Sequence, residues 1–153
     1  MESREIESWK GGSWLPQARR LTLSFHRCYI PSVEYEVEYT NEFEEWWDGL
    51  TEDVQDSVAA RVELLERYGP NLGRPHADAV HSSRHANLKE LRIQNAGRPY
   101  RVLFAFDPRR RAILLVGGDK TGNDRWYEEF VPVADRLFDE HLAALKREER
   151  TDG

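Results

Sequence analysis

Hydrophobic and polar residues alternate in the first patterned stretch of the chain, and the spacing then becomes helical. Three apolar residues alternate with glutamates over 34–39, which predicts a strand with one apolar face. Asn41 followed by Glu44 has the pattern of a capped helix start. The helix predicted after this cap carries one apolar stripe, made of Phe43, Trp46, Trp47 and Leu50.

A second helix is predicted to follow directly, with Thr51 as its N-cap. Its end is indicated by Tyr68-Gly69-Pro70, because glycine adopts the left-handed exit readily and proline cannot continue a helix. The two helices form a predicted hairpin, and the inward residues of the second are Val54, Val58, Val62 and Leu65.

The second half of the chain contains short apolar runs separated by turn residues, which predicts strands linked by hairpins. We expect 71–86 to be a connection and 117–122 to be a glycine-rich loop. A last helix is predicted from about Asp124, and Pro132 indicates a kink or a later start. Strands segregated from helices predict an α+β fold with a small antiparallel sheet, whose later strands are 88–94, 100–106 and 112–116.

Length and composition indicate one soluble domain of 153 residues. No apolar run approaches the roughly 20 residues that span a bilayer, so no membrane partner is expected. The single cysteine, Cys28, and the lack of an apolar secretion signal fit the cytoplasm. We expect an irregular N-terminal extension over 1–33, the folded domain over 34–145 and a charged tail over 146–153.

Charge is segregated along the chain, although the net charge is only −6. Residues 34–72 carry twelve acidic and two basic side chains, whereas residues 73–127 carry eleven basic and five acidic ones. This asymmetry predicts a basic functional face beside acidic helices. Three of the basic residues, 109–111, fall at a predicted hairpin tip, where we expect them to be solvated.

Basic side chains are threaded through the predicted strands. Alternation puts Arg101 on one face of its strand, and the preceding strand carries Lys89 and Arg92. Lys120 follows the last strand. We expect these four cations to converge on one concavity that holds an anion, most commonly a phosphate. The alternative is a scatter of solvated surface cations.

Two other kinds of site do not fit the sequence. A phosphate-binding loop requires glycine at the positions of Asp119 and Leu114. His76, His81 and His85 have no HExxH pattern, cysteine partner or carboxylate cluster, so we predict no metal and no cofactor.

A set of cations of this kind can cleave RNA without a paired histidine or glutamate. The RNA 2′-hydroxyl is a built-in nucleophile, so the protein needs only to orient it and to stabilise the charged phosphorane. DNA lacks this hydroxyl and would not be cut in this way.

Four segments carry a resemblance to a known family: LKELR, GRPYRVLFAF, AILLVGGDKTG and WYEEFVPVAD. Together they resemble the RelE/ParE toxin superfamily, and within it the phage-derived, HigB-like branch, over about Val37–Leu142. The resemblance implies a type II toxin that is a metal-independent, ribosome-dependent mRNA endonuclease. It also implies neutralisation by a helix-turn-helix antitoxin, with operator DNA bound only through the toxin–antitoxin complex.

The resemblance also suggests roles for individual residues. Arg101 and Lys120 correspond to residues that stabilise the scissile phosphate, and Lys89 and Tyr127 are candidates for proton transfer. The expected substrate-binding residues are Arg92, Arg98, His85 and Arg125.

Two other functions stay open at this point. A gyrase-poisoning toxin would share the fold but act through a protein surface, so it would tolerate loss of the basic residues. A phage-derived regulator would use the same cations only to hold nucleic acid.

Overall fold

The computed structural model describes residues 7–8 and 34–152 of the chain. Its elements confirm the predicted α+β fold, in which one mixed, mostly antiparallel sheet has the strand order β1-β2-β6-β5-β4-β3. In chain order the elements are β1 (Glu7–Ser8), β2 (Val37–Tyr39), α1 (Asn41–Asp48), α2 (Glu52–Tyr68), β3 (Ala77–Ala79), β4 (Lys89–Asn95), β5 (Arg98–Phe106), β6 (Ala112–Asp119) and α3 (Trp126–Asp152).

One pair of strands departs from the predicted antiparallel sheet. β2 runs parallel to β6, with Val37 opposite Ala112. The α1–α2 hairpin carries the chain from β2 to β3 at the far edge of the sheet, and the strands then return one by one to β6. A crossover of this kind is what a parallel pair requires.

The two helix starts are capped by threonines. Thr40, and not the predicted Asn41, caps α1: its Oγ1 accepts a hydrogen bond from the Phe43 amide at 3.1 Å. The same hydroxyl donates to the Leu115 carbonyl at 2.6 Å, which ties the cap to β6. Thr51 caps α2 as predicted. The helix ends at Tyr68, and Gly69 follows it with a positive φ of 57°.

The prediction of a glycine-rich loop over 117–122 is wrong for the first three residues, because β6 continues through Gly117 and Gly118 to Asp119. Both glycines are required by close packing. A Cβ at Gly117 would lie 2.4 Å from the Trp46 ring, and one at Gly118 would lie 2.8 Å from Trp126 Nε1. An aromatic residue therefore packs on each face of the same strand.

The sheet separates two cores. One face, which includes Val37, Leu91 and Phe104, packs against α1 and α2. The other, which includes Leu103 and Ile113, packs against α3. This two-sided arrangement explains why β5 and β6 read as continuous apolar runs.

Helix α3 is longer than predicted. It begins at Trp126, six residues before Pro132, so the predicted later start is wrong. Residues 146–152 continue this helix instead of forming a separate tail. The predicted connection over 71–86 also contains an unforeseen strand, β3.

The N-terminal prediction is only partly covered by the structure. Glu7–Ser8 pairs antiparallel with β2, so this part of the predicted irregular extension is a strand. The rest of 1–33, including Cys28, lies outside the described residues. Among the residues described, none of the helices is long and apolar enough to cross a bilayer.

Candidate anion-binding site

The β4–β5 hairpin places two arginines side by side. Arg92 is the cross-strand partner of Arg101, and Glu90 lies two residues from Arg92 on the same face of β4. Glu90 contacts both arginines, with its carboxylate oxygens 3.6 Å from Arg92 Nε and from Arg101 Nε. Because this face is the one covered by α3, the hairpin directs these charges toward the first turn of that helix.

The first turn of α3 supplies Tyr127, whose hydroxyl donates to Glu90 Oε1 at 2.5 Å. Lys120, in the loop between β6 and α3, has Nζ 5.6 Å from the centre of the Tyr127 ring. The Lys120 backbone amide donates to the Pro99 carbonyl at 2.8 Å, which fixes the loop against β5. We call Glu90, Arg92, Arg101, Lys120 and Tyr127 the Arg101 cluster.

Arg101 is more buried than a solvated cation would be, since 8% of its side chain is exposed. Its Nη1 donates to the Tyr100 carbonyl at 3.1 Å, and its buried Nε has no hydrogen-bond partner within the described structure. Glu90 is buried as well, with 7% of its side chain exposed. Charges held in such a poorly hydrated place act strongly on their neighbours.

The pKa of Tyr127 is raised above its ordinary value of 10.0. Burial is the main cause, and the Glu90 carboxylate adds to it, while Arg101 acts in the opposite direction. Tyr127 is therefore a neutral phenol at neutral pH. It can give a proton to a leaving group, but it is a poor base in this state.

The structure does not bring Lys89 into the cluster, so the predicted convergence of four cations is wrong for this residue. Lys89 alternates with Glu90 along β4 and lies on the face that packs against α2, like its cross-strand partner Phe104. Its Nζ donates to the Pro70 carbonyl at 3.3 Å. The hairpin thus separates Lys89 from Arg92 by the thickness of the sheet.

Two predicted binding residues lie at the margin of the cluster. Arg98 is exposed at the start of β5 and forms an ion pair with Asp119 at 2.6 Å. Arg125 is exposed before α3 and pairs with Glu128 at 2.8 Å. Arg125 is two residues from Tyr127 in the chain, and Asp119, the partner of Arg98, directly precedes Lys120. Both arginines have solvent-exposed side chains.

His85 lies in the loop between β3 and β4 and packs against a different part of α3. Its Nε2 is 2.8 Å from Asp139, and its ring contacts the edge of Phe138. Asp139 is twelve residues beyond Tyr127, which corresponds to about 18 Å along a helix. The structure therefore does not place His85 with the other predicted substrate-binding residues.

Glu90 is the member of the cluster that the sequence prediction missed. The alternation of β4 was the available signal, because it puts Glu90 and Arg92 on one face. The importance of Glu90 comes from Tyr127, which is 37 residues away and reaches it only through the packing of α3 on the sheet.

Two of the three arginines that were predicted to be solvated at the β5–β6 turn form ion pairs in the structure, whereas Arg110 is exposed as predicted. Arg109 contacts Asp107 at 2.6 Å and Glu38 at 2.9 Å, and Arg111 contacts Glu38 at 2.8 Å. The tip is thus an ion-pair network against β2, and it lies apart from the Arg101 cluster at the other end of β5.

Within the described residues, no group of three or more histidine, cysteine, aspartate or glutamate side chains could hold a metal ion. The Arg101 cluster can attract an anion through its cations and donate a proton from its phenol.

Comparison with known proteins matches residues 45–139 to the family described as "Phage derived protein Gp49-like (DUF891)". The chain is similar to the Mycobacterium tuberculosis (strain ATCC 25618 / H37Rv) protein named "Putative toxin HigB2", with 42% identity over 84% of this chain and 71% of the relative. It is also similar to "Putative toxin HigB3" of the same strain, with 50% identity over 66% of this chain and 88% of the relative. No solved structure matches the chain.

Proposed function

The chain belongs to the phage-derived Gp49-like family, and from this premise we propose that it is the toxin of a type II toxin–antitoxin system that cleaves mRNA during translation. The two relatives named as toxins support the first part of this proposal. The Arg101 cluster supports the second part, because it combines three cations with a neutral phenol on one face of the sheet. The ribosome and its bound message are the proposed partners in the reaction, and a helix-turn-helix antitoxin is the proposed inhibitor.

The cations in the cluster have different exposure and therefore different proposed tasks. Arg92 has 34% of its side chain exposed, and Lys120 is half-buried, so these two reach the scissile phosphate from solvent. Arg101 is nearly buried and contributes a fixed positive field at its edge of the site. Donors and charges that are already in place stabilise the phosphorane without further reorganisation.

The proposed reaction is an in-line attack of the RNA 2′-oxygen on the adjacent phosphorus. The bond between phosphorus and the 5′-oxygen breaks, which leaves a 2′,3′-cyclic phosphate and a 5′-hydroxyl. The proton of the attacking 2′-hydroxyl passes to solvent. The Tyr127 hydroxyl, which hydrogen bonds to Glu90 in the structure, turns its O–H from Glu90 to the departing 5′-oxygen and gives it the proton. Water then restores the phenol.

The test is to induce the protein in a bacterial host and to map the 5′ ends of cellular mRNA. We expect new ends within translated regions, and a loss of about 10²-fold in cleavage rate for Lys120→Ala and for Arg92→Ala. Arg136→Ala is the matched control, because Arg136 is exposed on α3 and forms an ion pair with the exposed Glu140 at 3.1 Å. Growth arrest with unchanged mRNA ends, or with broken chromosomal DNA, would contradict the nuclease proposal and favour a gyrase poison.

A further inference from the structure

Glu90 is a carboxylate at the centre of a site proposed to bind phosphate, which is an unexpected charge in that place. It is 5% exposed, and three other members of the cluster contact it. A carboxylate repels the phosphodiester, so a site selected only for affinity would not contain one. The contacts of the two Glu90 carboxylate oxygens explain why a carboxylate is present there.

The two oxygens of Glu90 act on different partners. Oε1 accepts the hydrogen bond from Tyr127 at 2.5 Å and lies 3.6 Å from Arg101 Nε, whereas Oε2 faces Arg92. Tyr127 is on α3 and Arg101 on β5, so one oxygen joins the helix to the sheet. The Tyr127 ring in turn lies beside Lys120.

We infer that Glu90 is a positioning residue that orients the Tyr127 hydroxyl and the Arg101 guanidinium for the reaction, at the expense of affinity for RNA. This inference rests on the proposed function. Removal of the charge should separate the two effects. The affinity for RNA should rise because a repulsive charge is lost, and kcat should fall because the phenol and guanidinium lose their common anchor.

The variant that tests this is Glu90→Gln, which keeps the shape of the side chain and removes its charge. We expect kcat for ribosome-bound message to fall about 10-fold to 100-fold, with KM unchanged or lower. A short single-stranded RNA, followed by fluorescence anisotropy, should bind a few-fold more tightly. Its binding should also depend more steeply on salt, because one more cation is available to phosphate. Weaker RNA binding together with lower kcat would overturn the inference.

A second variant addresses the same contact from its other side. Tyr127→Phe removes only the hydroxyl. If Glu90 acts in part by orienting that hydroxyl, the loss of kcat in the double variant should be smaller than the product of the two single losses, and what remains should reflect the contact of Glu90 with Arg101. Multiplied losses in the double variant would overturn the inference. Tyr127→Phe also keeps the test valid if Glu90→Gln fails to fold. Glu140→Gln is the control, because Glu140 is an exposed carboxylate on α3.

A spectroscopic measurement separates this inference from the nuclease proposal. Subtracting the alkaline absorbance titration of Tyr127→Phe from that of the parent protein isolates the ionisation of Tyr127. Among the described residues, the charged groups that contact the phenol are Glu90, Arg101 and Lys120. Burial and the Glu90 carboxylate oppose formation of the phenolate, and Arg101 favours it. In Glu90→Gln we expect ionisation at lower pH, whether or not the protein cleaves RNA. An unchanged midpoint would overturn the positioning role, while a shifted midpoint in a protein that cuts no message would contradict the proposed function alone.

Discussion

His141 and Asp107 form a buried pair, with His141 Nε2 2.9 Å from Asp107 Oδ2 and side-chain exposures of 3% and 0%. His141 is in the second half of α3, and Asp107 follows the last residue of β5. Burial raises the pKa of Asp107, but hydrogen bonds from His141 and Arg109 outweigh this effect and bring the pKa to about 2. The pair therefore ties the second half of α3 to the β5–β6 turn through a carboxylate that is negatively charged at neutral pH.

The first prediction concerns acid stability. The pKa of Asp107 is lower in the folded protein than its ordinary value of 3.8, so its charge stabilises the fold above about pH 4 and this contribution is lost as the pH falls toward 2. We expect Asp107→Asn to lower the free energy of unfolding by roughly 2–4 kcal/mol at pH 6. The difference from the parent protein should shrink between pH 4 and pH 2 in urea titrations.

Asp56→Asn is the control for that series, because Asp56 is exposed on α2. It should leave the free energy of unfolding within about 0.5 kcal/mol of the parent value. The free energies of unfolding of Asp107→Asn and the parent protein could instead differ by a constant amount down to pH 2. That result would show that the carboxylate charge is not what stabilises the turn.

The second prediction concerns the packing of β6. Gly117→Ala should destabilise the protein by about 1–3 kcal/mol, because the added Cβ would lie 2.4 Å from the Trp46 ring. Gly117→Ala should destabilise the Trp46→Leu variant less than it destabilises the parent protein, because the ring that the added Cβ would contact is gone. Thermal melting of the two single variants and the double variant measures this coupling.

Gly73 provides a matched glycine. A Cβ at Gly73 has no atom within 4 Å among the described residues, so Gly73→Ala should leave the melting midpoint nearly unchanged. If Gly73→Ala and Gly117→Ala lower the melting midpoint equally, the conformational freedom of the glycine backbone, and not contact with Trp46, determines the role of glycine in β6.

The fold was largely predictable because its elements have strong local signals. Thr51, Gly69 and the inward valines of α2 all act within one helix, so spacing alone locates them. Gly117 and Gly118 misled the prediction because glycine usually marks a loop. Here they are needed for Trp46 and Trp126, which come from opposite ends of the domain and pack on the two faces of one strand. Such contacts between distant segments leave no periodic signal.

The candidate site was predictable to a smaller extent for the same reason. Alternation correctly grouped Arg101 with Leu103 and Ala105 on one face of β5, because side-chain direction in a strand is a local property. That α3 covers this face is seen only in the structure. Alternation should equally have separated Lys89 from Arg92, which are three residues apart on β4 and lie on opposite faces. Burial of Arg101 and the Tyr127–Glu90 contact depend on where α3 docks, which the sequence pattern does not specify.

The third prediction tests the buried charge pair in the cluster. Arg101→Met should destabilise the protein by about 3 kcal/mol, because it leaves the Glu90 carboxylate buried without that cation. Adding Glu90→Gln should restore a substantial part of the loss, although the activity would not return. Urea unfolding of the four members of this cycle gives the coupling energy. Additive losses would show that Glu90 and Arg101 do not interact across their 3.6 Å separation.

The fourth prediction concerns the N-terminal segment. We expect a chain that begins at Ser32 to fold and to cleave message like the full chain, because no periodic burial pattern precedes residue 34. The pairing of Glu7–Ser8 with β2 involves two residues, so its loss should shift the melting midpoint by only a few degrees. A folded but inactive truncation would show instead that residues 1–31 take part in binding RNA or the ribosome.

The fifth prediction concerns the proposed antitoxin. The segment that contains α1 and α2 carries a net charge of −10, and the segment from 73 to 127 carries +6, so two surfaces of opposite sign are available. We expect the antitoxin to use one of them and to associate faster at low salt, because long-range attraction between opposite charges steers encounter. The association rate constants measured by stopped flow at about 20 mM and about 300 mM salt should differ by 10-fold or more, since the Debye length shrinks over this range.

A variant in which Glu52, Asp53 and Asp56, at the exposed start of α2, are replaced with their amides decides between the two surfaces. A smaller salt effect in that variant assigns the acidic surface, an unchanged effect assigns the basic one, and a rate that is independent of salt in the parent protein would contradict electrostatic steering altogether.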